Sequence, residues 1–277
     1  MQAFSTIIIP AHNEAMYIKA CLDALLRQDV SAGSMRIIVA ANACTDATVN
    51  VCRAMADDFA DRQSQLVVLD LPEPGKVAAL NTAEAGLELG VRIYLDADVV
   101  CDPAMIGQLH TALSGTTARY ATGRLKVAHA KSLVTRAYAV FWQQLPFVKS
   151  GAVGAGLFAM NAAGRARWGN FPDIISDDTF VRLNFTPEER IEVQAKYHWP
   201  MVEGFSNLVK VRRRQDAGVA EVRAKYPELF ENDHSARLTK RQVIALALRH
   251  PLAFAVYASV SFAVKTRRPG RDWTRGR

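Results

Sequence analysis

Short apolar runs alternate with helical periodicity through the first hundred residues. Residues 6–10, Thr-Ile-Ile-Ile-Pro, read as a strand, and residues 14–27 as a helix with Ile18, Leu22, Leu25 and Leu26 on one face. The pattern then repeats. A strand over 36–40 precedes a helix from near Thr45, and a strand over 66–71 precedes an Ala- and Leu-rich helix over 76–89. A fourth strand over 91–95 ends in Asp96-Ala97-Asp98. None of these strands shows the polar–apolar alternation of a half-exposed sheet. Runs that are apolar throughout suit parallel strands buried on both faces. Strand–helix repetition joins such strands by right-handed crossovers. The expectation is an α/β fold that binds its ligand at the carboxyl ends of the strands.

Beyond residue 100 the pattern loosens. A strand over 119–127, a helix over 131–145, a glycine-rich stretch over 150–156 and short strands over 157–161 and 190–198 are predicted, followed by basic helices through Leu229. Residues 243–264 are apolar apart from Arg249, His250 and small polar residues. A straight helix of that length would rise roughly 33 Å, close to the ~30 Å hydrocarbon layer. Arg249 and Pro251 argue against a simple span, because a charge in lipid is costly and proline breaks the ladder. The expected form is two helices bent at His250-Pro251, bracketed by Lys240, Arg241, Arg249 and Lys265, lying on or dipping into an anionic membrane surface.

Composition adds bounds. The chain has 277 residues, 50% hydrophobic and 22% charged, enough for a sizeable core and inconsistent with wholesale disorder. Its four cysteines form no CxxC pair and no zinc spacing, which suits a reducing compartment. No basic leader precedes the first strand, so a secretory signal is not expected. Of the net +7, the tail from Lys265 onward carries +5. The body is nearly neutral, so nucleic acid is not an expected partner.

Each of the first four strands ends in polar residues that a plain core does not require. They are Pro10-Ala11-His12-Asn13-Glu14, then Asn42-Ala43-Cys44-Thr45-Asp46, then Gly75-Lys76 with Asn81 behind, then Asp96-Ala97-Asp98. Taken singly, several could be helix caps or turn residues. Together they should meet at one sheet edge. Asp96 and Asp98, one residue apart, suit a hard cation, Mg²⁺ or Mn²⁺, which takes oxygen ligands and leaves positions for phosphate. Lys76, opening a helix after a glycine turn, could add a second positive contact to phosphate.

This series of motifs resembles glycosyltransferase family 2, which has the GT-A fold. The likeness continues through 154–161, Gly-Ala-Gly-Leu-Phe-Ala-Met-Asn, and 171–178, Phe-Pro-Asp-Ile-Ile-Ser-Asp-Asp. The resemblance implies an inverting enzyme that moves one sugar from a nucleotide diphosphate to an acceptor hydroxyl. It implies that Pro10, Ala11, Glu14, Asn42 and Asp46 hold the nucleoside, that Lys76 lies by the nucleotide, and that Asp96, Ala97 and Asp98 serve ribose, diphosphate and metal. It makes Asp178 the catalytic base. Asp177 beside it either raises the pKa of Asp178 by like-charge repulsion or caps the following helix.

Two departures matter. Many members carry two acids where this chain has Ala41-Asn42, so Asn42 is expected to read a pyrimidine edge, with uracil favoured. The Gln-x-x-Arg-Trp motif of processive synthases is missing, which favours single-sugar addition. Arg212, Arg213 and Arg214 stand in its region, either clamping phosphate or lying on a solvated helix face. Gly154 and Trp168 are further candidates near the acceptor, although Trp142, Trp168 and Trp199 are each expected to pack rather than to serve as sugar platforms. The expected organisation is a GT-A domain over 1–230, with its donor half over 1–100 and acceptor half over 101–230, plus a C-terminal extension over 231–277. The resemblance implies a polyprenyl-diphosphate-linked saccharide as acceptor, in exopolysaccharide, capsule or O-antigen assembly at the cytoplasmic face of the membrane. A nucleotidyltransferase and a non-catalytic nucleotide-sugar-binding scaffold are the competing readings.

Overall fold

The computed structural model describes residues 5–266, apart from 89, 151, 235 and 237. The basic tail beyond Thr266 lies outside the described residues. The first half runs β1 (Ser5–Ala11), α1 (Ile18–Leu26), β2 (Met35–Asn42), α2 (Thr48–Arg53), α3 (Ala56–Asp61), β3 (Gln65–Leu71), α4 (Lys76–Glu84), β4 (Arg92–Leu95). The second half runs β5 (Val100–Cys101), α5 (Met105–Ala112), β6 (Tyr120–Val127), α6 (Leu133–Trp142), α7 (Pro146–Ser150), β7 (Leu157–Met160), α8 (Ala162–Arg165) and α9 (Asp177–Leu183). β8 (Arg190–Trp199), α10 (Phe205–Lys225), α11 (Lys240–Arg249) and α12 (Pro251–Thr266) complete it.

All eight strands form one sheet in the order β3-β2-β1-β4-β7-β6-β8-β5. The first four are parallel, with Ile7 opposite both Ile37 and Ile93. β7 then runs antiparallel to β4 and β6, and β8 runs parallel to β6. The parallel strands are buried on both sides because each face has its own helical layer. Ile7, Ile9 and Val39 pack with α1 and α5, while Ile8, Ile38 and Ala40 pack with Ala79, Leu80 and Ala83 of α4. Each fully buried isoleucine contributes about 1.5–3 kcal/mol. Chain order reverses between β1 and β4, so the crevice of a doubly wound sheet opens where those two strands end.

Several boundaries differ from expectation. The helix predicted over 14–27 begins only at Ile18, because residues 14–17 form a turn closed by the Glu14 carbonyl on the amides of Tyr17 and Ile18, both 2.9 Å. The helix expected from Thr45 begins at Thr48, since residues 43–46 are committed to a loop. α4 stops at Glu84, five residues early, and Gly86 just beyond has φ +73°. The basic helices through Leu229 are one 21-residue helix, α10, followed by a 3-10 turn that starts at Pro227.

A third apolar cluster, separate from the two faces of the sheet, joins α6, α10 and α12 through Tyr138, Trp142, Leu208, Val209 and Val260. The C-terminal helices break at His250-Pro251, where proline has no N–H to continue the ladder. Among the described residues no helix is long and apolar enough to cross a membrane.

Candidate active site

The loops after β1 and β2 are clasped by side-chain hydrogen bonds. Asn13 Oδ1 accepts from the amides of Thr45 at 2.7 Å and Asp46 at 3.2 Å, and Asp46 Oδ2 accepts from the Ala15 amide at 3.1 Å. The Glu14 amide donates to Thr48 Oγ1 at 2.8 Å. Asn13 and Ala43 adopt left-handed φ values of 54° and 45°, the local cost of turning both chains into one crevice. Burial pushes the Asp46 carboxyl up, but hydrogen bonds from Thr48 and Ala15 outweigh it and hold the group below its usual value.

Asn42 is the brace of this corner. Its Nδ2 donates to the Ala11 carbonyl at 2.8 Å, and its Oδ1 accepts from the Gly75 amide at 3.1 Å. His12 Nδ1 donates to the Asn42 carbonyl at 2.6 Å. With both ends of its amide on backbone, the Asn42 side chain ties β1 to the turn before α4. It is 5% exposed and borders the cleft with its amide largely committed to backbone.

The centre of the crevice is electrostatic. Gly75, with φ +144°, turns the chain so that Lys76 opens α4 pointing inward. Lys76 Nζ donates to Asp177 Oδ1 at 3.2 Å, lies 3.0 Å from Asp177 Oδ2, and lies 3.2 Å from Asp96 Oδ1. One ammonium thus joins the end of β4 to the start of α9. Burial opposes its charge, but Asp177, Asp96 and Asp178 more than compensate, so its pKa is raised. Asp178 follows Asp177 in the first turn of α9, its Oδ1 accepting from the Thr179 amide at 2.7 Å. Burial first, and the Asp177 charge second, push the Asp178 carboxyl above its ordinary value, with Lys76 opposing.

These groups line a single cleft of about 1420 Å³ that takes in Pro10, Ala11, Glu14, Asn42, Lys76, Asp96, Ala97, Asp98, Asp177, Asp178, Arg212 and Arg214. Its volume exceeds the roughly 300–1,000 Å³ of a site for one small molecule. Two substrates can share it. Among the described residues no three His, Cys, Asp or Glu side chains cluster as a metal cage. Asp96 and Asp98 supply carboxylate oxygens, and the position beside Asp96 already accommodates a cation, the Lys76 ammonium. That donor set fits a hard divalent ion completed by phosphate and water.

Four expected residues do not line the cleft. Asp46 is engaged by Thr48 and Ala15, and acts on the loop instead. Arg213 turns toward α12 and bonds the Ala263 and Val264 carbonyls at its C-terminal end. Trp168 packs edge-on against Phe171, Phe180 and Phe185, in the layer under the sheet. Gly154 is required by a close approach: a Cβ there would stand 1.8 Å from the Tyr120 hydroxyl. Conversely, Trp142 and Trp199, expected only to pack, stack at 5.7 Å between centroids and line the cleft beside Tyr138 and Arg182. Trp199 closes β8, and a tryptophan at a strand end is the signal that could have drawn attention to it.

The wider comparisons agree with this geometry. The Glycosyl transferase family 2 model matches residues 6–163. Glycosyltransferase AglE of Haloferax volcanii is 27% identical over 100 residues, 36% of this chain and 31% of that protein. Glycosyltransferase GlyA of Streptococcus pneumoniae is 25% identical over 93 residues, 34% of this chain and 12% of that protein. The chain thus spans less than a third of either curated relative. The solved mannosyltransferase PcManGT from Pyrobaculum calidifontis, in complex with GDP-Man and Mn²⁺, superposes with a TM-score of 0.58 at 21% identity, covering 96% of this chain and 76% of that one. At such identity the likeness is one of fold, the GT-A fold that the strand-end motifs implied. Because the family match extends over more than half of its length, this chain belongs to glycosyl transferase family 2.

Proposed function

We propose that the protein is an inverting glycosyltransferase that adds a single sugar from a nucleoside diphosphate sugar to an acceptor hydroxyl. The observation that carries this reading is the pairing, within one cleft, of Asp96 and Asp98 at the end of β4 with Asp177 and Asp178 at the start of α9. Asp96 and Asp98 would hold Mg²⁺ or Mn²⁺. When bound, such an ion supplies Lewis-acid neutralisation of the charge that develops on the departing diphosphate. Asp178 takes the proton from the acceptor hydroxyl as that oxygen bonds to the anomeric carbon and the bond to the diphosphate oxygen breaks. Lys76 holds Asp177 in place, leaving Asp178 as the carboxylate that faces the acceptor. Trp199 offers an aromatic surface on which an acceptor saccharide can lie, backed by the buried Trp142 and Tyr138.

The acceptor we propose is a polyprenyl-diphosphate-linked saccharide at the cytoplasmic face of the membrane, in exopolysaccharide, capsule or O-antigen assembly. Arg214 in the cleft suits its phosphates, with Arg212, already paired with Asp216 and the Tyr138 hydroxyl, beside it, and the cation-rich C-terminal helices suit its setting. UDP-sugars stand first among candidate donors. GDP-mannose belongs beside them, because Asn42, the residue expected to read a pyrimidine, is engaged by backbone.

The test is a donor panel with Mn²⁺, read by thermal shift and product analysis. Stabilisation by one nucleotide sugar, release of a nucleoside diphosphate and inversion at the anomeric carbon are expected. Release of pyrophosphate from a nucleoside triphosphate and a sugar phosphate, with no transfer from any nucleotide sugar, would replace this reading with a nucleotidyltransferase.

A further inference from the structure

We infer that α6, α11 and α12 together form a face that seats the protein on an anionic lipid bilayer, lying in the interface without crossing it. This deepens the reading of the acceptor as lipid-borne and rests on that reading only for why the contact is useful.

The apolar positions come first. α12 packs against α6, α10 and α11, and each of α6, α11 and α12 still leaves large apolar side chains outside. Ile244 and Leu248, one turn apart on α11, are 59% and 79% exposed, and Leu252 and Phe262 on α12 are 81% and 70% exposed. On α6, Leu133 and Val140 are exposed seven residues apart, two turns along one side of the helix. α11 has no buried residue at all, although four of its residues are Val, Ile or Leu. Exposed apolar surface concentrated on adjacent helices marks an interaction face.

Charge selects the occupant. Between Asp233 and Asp272 the sequence holds eight lysines and arginines and no acid. Lys240, Arg241 and Arg249 flank the apolar positions of α11, and Lys265 ends α12. A second copy docked through a two-fold axis would set these cations against themselves. An anionic leaflet would neutralise them while taking up the apolar side chains. Since no described helix is long and apolar enough to cross, the fit is to a surface.

The position of α6 links this face to the cleft. Tyr138 and Trp142 line the cleft from the same helix whose Leu133 and Val140 face outward. One helix thus separates the acceptor end of the cleft from the bilayer, so a saccharide on a lipid anchor could reach it without leaving the membrane.

The experiment is vesicle flotation of the full chain on phosphatidylcholine alone and on phosphatidylcholine with phosphatidylglycerol, beside a Leu248→Asp/Phe262→Asp double variant. Wild type should float with the anionic vesicles and lose binding as salt rises. The variant should bind at least about tenfold more weakly while keeping its thermal shift with nucleotide sugar, which shows an intact fold. Failure of wild type to bind anionic vesicles, or equal binding by the variant, would overturn the inference. So would a concentration-dependent dimer by light scattering that the variant abolishes, with no vesicle binding. A chain that floats but transfers no sugar leaves the lipid face standing and removes only the proposed activity.

Discussion

Asp178 is held in a state that folding disfavours and the proposed catalysis would use. Its carboxyl is raised by burial and by the neighbouring Asp177 charge. A raised carboxyl favours the native state below the unfolded pKa of about 3.9, and that contribution is lost as pH rises through the higher native value. Near neutral pH the ionised group therefore costs stability. Asp178→Asn is expected to raise Tm while removing transfer activity. The acidic limb of the wild-type rate profile is expected above pH ~3.9, because the base must be ionised to act. Thermal unfolding and a pH–rate profile check the two claims. Asn42 gives a contrasting case. Asn42→Ala leaves the Gly75 amide and the Ala11 carbonyl short of partners, which costs about 1–3 kcal/mol. Because it loosens the loops where the donor is proposed to bind, urea denaturation and donor titration should show stability and affinity falling together.

At the level of elements, legibility follows the range of the forces involved. β1 to β4 could be read because each is a local apolar run, and their terminal motifs are local as well. Asp96, Asp98 and Lys76 meet because the parallel strands β3 and β4 end on the same sheet edge, a rule that needs only strand order and direction. Asp178 comes from α9, beyond antiparallel β7, and is brought there by the Lys76–Asp177 ion pair. The roles of Asn42 and Asp46 were hidden because their partners are backbone groups about 30 residues distant, which no side-chain pattern announces. Trp168 packs, as its aromatic character alone suggests, and its proximity to the acceptor region is the weaker guide: nothing local distinguishes an aromatic surface from an aromatic core. Gly154 and Arg213 turn out to join elements. Gly154→Ala should destabilise the fold by at least about 1 kcal/mol through contact with buried Tyr120. Arg213→Ala should lower Tm by freeing the last turn of α12, with donor affinity unchanged. Calorimetry beside donor titration separates those outcomes.

Across the whole molecule, the two halves of the sheet bring different chemistry to one cleft. The parallel half delivers the loops after β1 and β2 and Asp96-Ala97-Asp98, and the second half delivers α9, Trp199 and Arg212. Removing divalent ions with a chelator should abolish transfer and weaken donor binding, and Mn²⁺ or Mg²⁺ should restore both. The central claim is that Asp178 accepts the proton from a hydroxyl poised against a donor held at Asp96 and Asp98. The most direct measurement compares transfer rate at saturating donor and Mn²⁺ for wild type and Asp178→Asn, with donor Kd measured on both. A rate lower by about 10²–10⁴-fold at an unchanged Kd is the predicted result. An undiminished rate, or a loss explained wholly by weaker donor binding, would contradict it.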